Sequence, residues 1–234
     1  RADVVLEELA GYEAEGSYPN LTIICLPQDH TSGTSPGCPT PAACMADNDL
    51  AVGRIVEALS TSSFWPKMAI FIIEDDPQAG WDSVSGYRTT AYVASPFAKR
   101  GVTVSTHYNS TSVLRTIGQI LGLPPMNLFD ASATPMADCF VEAADEVDAT
   151  PFEALPVSVP LDEMNPSAAS LLDPLLKAHA IASSQMNFAQ IDRAPEDLLN
   201  RVLWHAMRGS DAPYPAWAVV PEDEDEEEEG ELGE

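Results

Sequence analysis

The sequence predicts an α/β fold in which a mostly parallel sheet is flanked by helices. Two apolar runs of strand length indicate the sheet, LTIICLP at 21–27 and KMAIFIIED at 67–75, because continuous apolar runs are typical of strands buried on both faces. Between them, apolar residues recur at three- and four-residue spacing from 42 to 59, as in a helix. Strands that alternate with helices form parallel sheets, since each helix carries the chain back across the sheet.

The remaining segments extend this pattern and then depart from it. Residues 2–14 have the apolar spacing of a short helix, and TTAYVASP at 89–96 predicts a third strand that Pro96 ends. A helix follows from the polar start near Asn109 to a stop at Gly122. The chain then becomes rich in proline and acidic residues, with helical patterns at 167–185 and 195–208. We therefore expect an α/β domain over 1–140, a connection and helical extension over 141–220, and a disordered acidic tail over 221–234.

Charge and hydropathy exclude several classes of partner. The 234-residue chain has a net charge of −26, which argues against binding to nucleic acid or an anionic membrane surface. No apolar run approaches the ~18 residues of a membrane span. Ten of the acidic groups lie in the last fourteen residues, and we interpret that tail as a solubilising end, with docking to a basic partner as the alternative.

The four cysteines do not indicate a structural zinc site, because no two of them form a Cys-x-x-Cys pair. Cys38 and Cys44 are close enough in sequence to form a disulfide, and the sequence leaves their redox state open. Cys25 lies within the first apolar run, so we expect it to be a buried thiol.

Polar residues follow each of the three predicted strands at its carboxyl end, where open α/β sheets bind ligands. Imidazoles and carboxylates gathered at one sheet edge would suit Zn²⁺, Mn²⁺ or Fe. The three clusters are Asp29-His30-Thr31, then Glu74-Asp75-Asp76 with Asp82, and finally Ser105-Thr106-His107.

Four segments together resemble the C-terminal half of bacterial phosphoesterases of the alkaline-phosphatase-like superfamily, which has phospholipase C and acid phosphatase relatives. The segments are LPQDHTSGT, IFIIEDDPQAGWD, ASPFAKRG and STHYNSTSVLRTIGQILGLPPM. The resemblance implies an alkaline-phosphatase-like domain that is incomplete at its N-terminus. It also implies hydrolysis of phosphate esters by a Ser or Thr nucleophile assisted by metal ions, here Zn, Mn, Fe or Ca.

The resemblance also implies roles for individual residues. Apart from the resemblance, the Arg88 guanidinium suits a bidentate clamp on phosphate, with an ordinary structural ion pair as the alternative role. The nucleophile would belong to an N-terminal half preceding Arg1, and a β-propeller-like region accompanies the domain in similar proteins. Export of many relatives points to the periplasm or secretion for a full-length protein, although the sequence itself leaves localisation open. The implied metal ligands are Asp29, His30, Asp75, Asp76, Asp82 and His107.

One loop departs from the family pattern. After Asp82, relatives carry two histidines, whereas this chain has Ser83 and Tyr87 in their places. Loss of ligands weakens metal binding steeply. Even the loss of a group that hydrogen-bonds to a ligand lowers metal affinity or activity by about 10–100-fold. Two alternatives to an active enzyme therefore stay open. One is a catalytically degenerate module with a binding or structural role, and the other is an incomplete gene product.

Overall fold

The computed structural model describes residues 1–75, 88–190 and 193–219. Short 3₁₀ turns connect the main elements, at Trp65–Lys67, Ala137–Cys139, Ala144–Glu146, Ala168–Ser170 and Ala216–Ala218. The helices and strands are α1 (Ala2–Glu15), α2 (Pro41–Thr61), β1 (Ile70–Ile73), β2 (Ala91–Ala94), α3 (Ser110–Ile120), α4 (Leu128–Ser132), α5 (Pro174–Ser183) and α6 (Glu196–Arg208).

The chain divides into two compact units, each assembled from separated stretches of sequence. The first unit contains 1–26, 50–73 and 90–156, and the second contains 27–49, 74–89 and 157–234. This division does not test the expected boundaries at residues 140 and 220, and the expected acidic tail lies outside the described residues. No helix in the described ranges is both long and apolar enough to cross a membrane.

The core of the first unit forms where α1 packs against the C-terminal part of α2. Leu9 of α1 and Ile55 and Leu59 of α2 are buried there, and Ile24 and Leu26 pack against them. The helical spacing of these apolar residues is what places them on one face. The sequence therefore predicted both helices correctly, within two residues at each end.

The two described strands pair antiparallel, with Ile70 opposite Ala94 and Ile73 opposite Ala91. The crossover rule that predicted a parallel sheet applies to strands joined through a helix. The sequence between β1 and β2 predicts a loop, so the rule did not constrain this pair. Residues 21–27 contain no strand. The mostly parallel sheet as a whole thus stays a prediction.

The expectation that Cys25 is a buried thiol is wrong. The segment 21–25 runs along the surface of the first unit, where Ile23 is 86% exposed and Cys25 is exposed as a free thiol. Alternate residues of an extended segment point to opposite sides, so Ile24 and Leu26 reach the core while Ile23 and Cys25 face away from it.

In the second unit, a side chain caps the start of α5. The Asp173 carboxylate caps α5 by accepting hydrogen bonds from the backbone N–H groups of Leu175 and Leu176 at 2.8 and 3.1 Å. Pro174 occupies the first helical position, where its fixed φ suits the helix. α6 packs against α5.

We expect Leu59→Ala to lower the free energy of unfolding by about 2–5 kcal/mol, because it leaves a cavity in the α1–α2 core. Leu59 is 4% exposed, whereas Leu128 is 85% exposed, so Leu128→Ala is a matched control that should cost no more than about 0.5 kcal/mol. Urea titrations followed by circular dichroism measure both. Equal losses in the two variants would contradict this description of the core.

Candidate functional site

Asp29 and His30 lie in a tight turn of the second unit. The His30 N–H donates a hydrogen bond to the Pro27 carbonyl oxygen at 3.2 Å. The His30 side chain is exposed, Asp29 is half-buried, and the Thr31 side chain that follows is buried. Thr31 Oγ1 donates to the Gly33 carbonyl oxygen at 3.3 Å. The turn therefore presents one imidazole to solvent and holds one carboxylate partly inside.

Cys44, on the first turn of α2, is buried close to Asp29. The pKa of the Cys44 thiol lies above its usual value, mainly because the thiol is buried. A hydrogen bond with Thr31 lowers this pKa, whereas the carboxylates of Asp47 and Asp29 raise it. Cys38 and Cys44 are both free thiols. A thiol kept protonated in this way is a poor metal ligand and a poor nucleophile.

Asn165 holds the loop that follows His30. Its side-chain Nδ2 lies within hydrogen-bonding distance of three carbonyl oxygens, those of Gly33 at 3.3 Å, Ser35 at 3.2 Å and Pro39 at 3.0 Å. Its backbone N–H donates to Cys38 O at 2.8 Å, and its carbonyl oxygen accepts from the Gly37 N–H at 3.1 Å. Asn165 is buried, so these bonds satisfy loop carbonyls that lack water.

Asp75 and Arg88 border the carboxylate-rich loop after β1. Asp75 is exposed two residues beyond the end of β1, and Arg88 is also exposed. Asp76 and Asp82, and with them Ser83 and Tyr87, lie outside the described residues. The structure therefore gives the position of only one of the three predicted carboxylate ligands of this loop.

His107 belongs to the first unit and is exposed just before α3. Residues before and after His107 in the sequence make hydrogen bonds that hold this segment. Thr106 donates a hydrogen bond to the Asp138 carboxylate at 2.6 Å, and Asn109 caps α3 by accepting from the Ser112 N–H at 3.0 Å. The polar start of α3 was thus correctly predicted, and it places His107 two residues before the helix cap.

The described residues do not complete the predicted ligand set. Asp29, His30, Asp75 and Arg88 belong to the second unit and His107 to the first. Within residues 1–75, 88–190 and 193–219, no three or more His, Cys, Asp or Glu side chains are grouped to hold a metal ion. Because Asp76 and Asp82 are outside the described residues, the metal site and its ligands stay a prediction.

Sequence reasoning gave Asn165 no role. Its partners in the 33–39 loop lie 126–132 residues away along the chain, so no local pattern could have identified them. The one available signal was an asparagine directly before a proline, which indicates an extended segment and not a ligand.

Comparison with known proteins decides the family. The family model named Phosphoesterase family matches residues 6–124, just over half of the chain. The chain belongs to the Phosphoesterase family. That part of the resemblance is confirmed, while the wider superfamily and the assignment to a C-terminal half stay predictions. No curated protein and no solved structure matches the chain.

We expect Asn165→Ala to lower the free energy of unfolding by about 1–3 kcal/mol, since it removes the side-chain donor from the part-buried carbonyl oxygens of Ser35 and Pro39. Asn20→Ala, at an exposed position, is the matched control and should have little effect. Urea unfolding measures stability, and hydrogen exchange of the amides of Gly37 and Cys38 reports the loop directly. Unchanged exchange at both amides in Asn165→Ala would show that Asn165 does not hold the loop.

Proposed function

We propose that the protein hydrolyses phosphoric esters with the help of bound metal ions. The observation that carries the proposal is the family match over residues 6–124. That interval includes all seven residues that the sequence predicts for the site, namely Asp29, His30, Asp75, Asp76, Asp82, Arg88 and His107.

The proposed ligands combine carboxylate oxygens with imidazole nitrogens, the donors that Zn²⁺, Mn²⁺ and Fe accept. His30 and His107 are exposed, so both imidazoles are accessible from solvent. When bound, the metal would supply positive charge to the non-bridging phosphate oxygens. Arg88 would add a bidentate contact to the same oxygens. Asp76 and Asp82 are needed to complete this set, because the described donors alone do not form a group of three.

The nucleophile is the part of the proposal that these residues do not supply. Thr31, directly after His30 in sequence, is buried and donates to the Gly33 carbonyl, and Thr106, directly before His107, donates to the Asp138 carboxylate. We therefore propose that a Ser or Thr in an N-terminal half of the enzyme attacks phosphorus. An alkaline-phosphatase-like α/β fold with a mostly parallel sheet belongs to the same proposal.

Turnover of p-nitrophenyl phosphate and bis(p-nitrophenyl) phosphate, with Zn²⁺, Mn²⁺ or Fe added, tests the activity. The assay uses the chain together with the coding sequence that adjoins it in its gene. We expect Asp75→Asn and His107→Gln each to lower kcat/KM at least about tenfold, the smallest loss typical of changes around a metal. Asp49→Asn, an exposed carboxylate on α2, is the control and should leave the rate unchanged.

Two results would separate the parts of the proposal. If no metal supports turnover of either ester, the proposed phosphoesterase activity is wrong. Turnover that survives both Asp75→Asn and His107→Gln would leave the activity standing and show that the ligands lie elsewhere.

A degenerate module is the second candidate, and Ser83 and Tyr87 favour it. Neutral serine is a poor ligand, so a loop with Ser and Tyr in place of two imidazoles should bind metal weakly. We expect the double variant Ser83→His/Tyr87→His to bind Zn²⁺ at least about tenfold more tightly than the natural chain. Isothermal titration calorimetry measures the affinity, and Val84→His controls for adding an imidazole anywhere in the loop. Equal affinities in all three proteins would contradict the idea that these two positions weaken a metal site.

A further inference from the structure

Two buried histidines face each other where α5 packs on α6. His179 of α5 is 6% exposed and His205 of α6 is 9% exposed. Their ring centroids are 5.1 Å apart, with 34° between the ring planes. Because the chain has four histidines in all, half of its imidazoles are buried in this one contact, away from the residues proposed for the phosphoesterase site.

The contact suits a neutral His179 ring. His205 Nδ1 lies 2.8 Å from the Arg201 carbonyl oxygen, and a carbonyl only accepts, so this nitrogen is the donor and that bond is satisfied within α6. His179 Nδ1 is buried and has no hydrogen-bond partner among the described residues. Protonation of His179 would leave a charged N–H donor there without an acceptor, which is costly in a buried site.

The charges around the pair offer little compensation. Burial and the neighbouring His205 lower the pKa of His179, and the Asp173 carboxylate opposes this more weakly. Asp173 already accepts from the Ser210 hydroxyl at 2.6 Å and from the α5 backbone. On α6, the Arg201 guanidinium pairs with Asp197 at 2.6 Å and stacks on the Tyr214 ring.

Two other described segments that approach α5 carry no titratable side chain. The 3₁₀ turn Ala168–Ser170 packs against α5 and has no titratable side chain. The loop around Gly33, which approaches Ser183 at the end of α5, has none between Thr31 and Gly37.

We propose that the ring contact between His179 and His205 is acid-sensitive: it holds α5 on α6 while His179 is neutral and loosens when His179 binds a proton. Because the folded state resists protonation of His179, the unfolded chain binds that proton first as the pH falls. The stabilisation is therefore complete above about pH 6.5, the ordinary value for histidine, and declines below it. The device is independent of whether the chain hydrolyses phosphate esters.

Unfolding of the whole chain by urea at pH 8, 7, 6 and 5.5 tests the proposal, with His179→Phe compared against the natural protein. The measured quantity is the folding constant of the natural protein divided by that of His179→Phe. Below pH 6.5 this ratio should fall by up to about tenfold per pH unit for each proton that only the unfolded state binds. Leu128→Phe, which adds a phenyl ring at a side chain that is 85% exposed, is the control and should keep the pH dependence of the natural protein.

Histidine-ring NMR of the natural protein provides a second measurement that does not depend on the folding of any variant. We expect His179 to protonate below the ordinary histidine range. We also expect the amides of α5 and α6 to have lower protection factors, relative to the intrinsic exchange rate at each pH, at pH 5.5 than at pH 8. The proposal is overturned if His179 titrates near pH 6.5 or above, or if His179→Phe retains the full pH dependence of the natural protein.

Discussion

The side-chain amide of Asn165 is the contact on which the second unit depends most. The loop from Gly33 to Pro39 consists of glycine, proline, serine, threonine and cysteine, and it forms no helix or strand of its own. Its carbonyl groups still need donors once they are removed from water, because an unpaired buried carbonyl costs about 1–3 kcal/mol. One nitrogen of Asn165 reaches three of these carbonyls. Asn165 thus holds the loop that directly follows the turn carrying Asp29 and His30.

The same loop is joined to α5 by a close backbone approach. The Thr34 N–H donates to Ser183 Oγ at 3.0 Å. Gly33 has a φ of +58°, and a Cβ there would lie 2.7 Å from the same oxygen, so both the backbone conformation and the available space require glycine. Ser183 lies one turn beyond His179 on α5. The loop and the histidine pair therefore both contact α5, within the second unit.

The sequence predicted the helices far better than the strands. Helix signals are local: the Asn109 cap, the Gly122 stop and the apolar spacing of α2 lie within the elements they define, and each was confirmed. Strand pairing joins residues far apart in sequence, so a single apolar run cannot show its partner. That is why the run at 21–27 was read as a buried strand, although Cys25 in it is exposed. For the candidate site, the sequence supplied residue types and the family, but not their spatial grouping.

By itself, the sequence determined α1, α2, α3 and α6, the cap at Asn109 and the stop at Gly122, and the membership of the Phosphoesterase family. It also named the carboxylates and imidazoles that the proposed chemistry would use. Only the tertiary structure decided that β1 pairs antiparallel with β2, that Asn165 supports the loop after His30, and that His179 meets His205. The physical reason is the range of the interactions. Caps and periodicity act within one or two turns of chain, whereas burial and hydrogen-bond satisfaction join residues that only folding brings together.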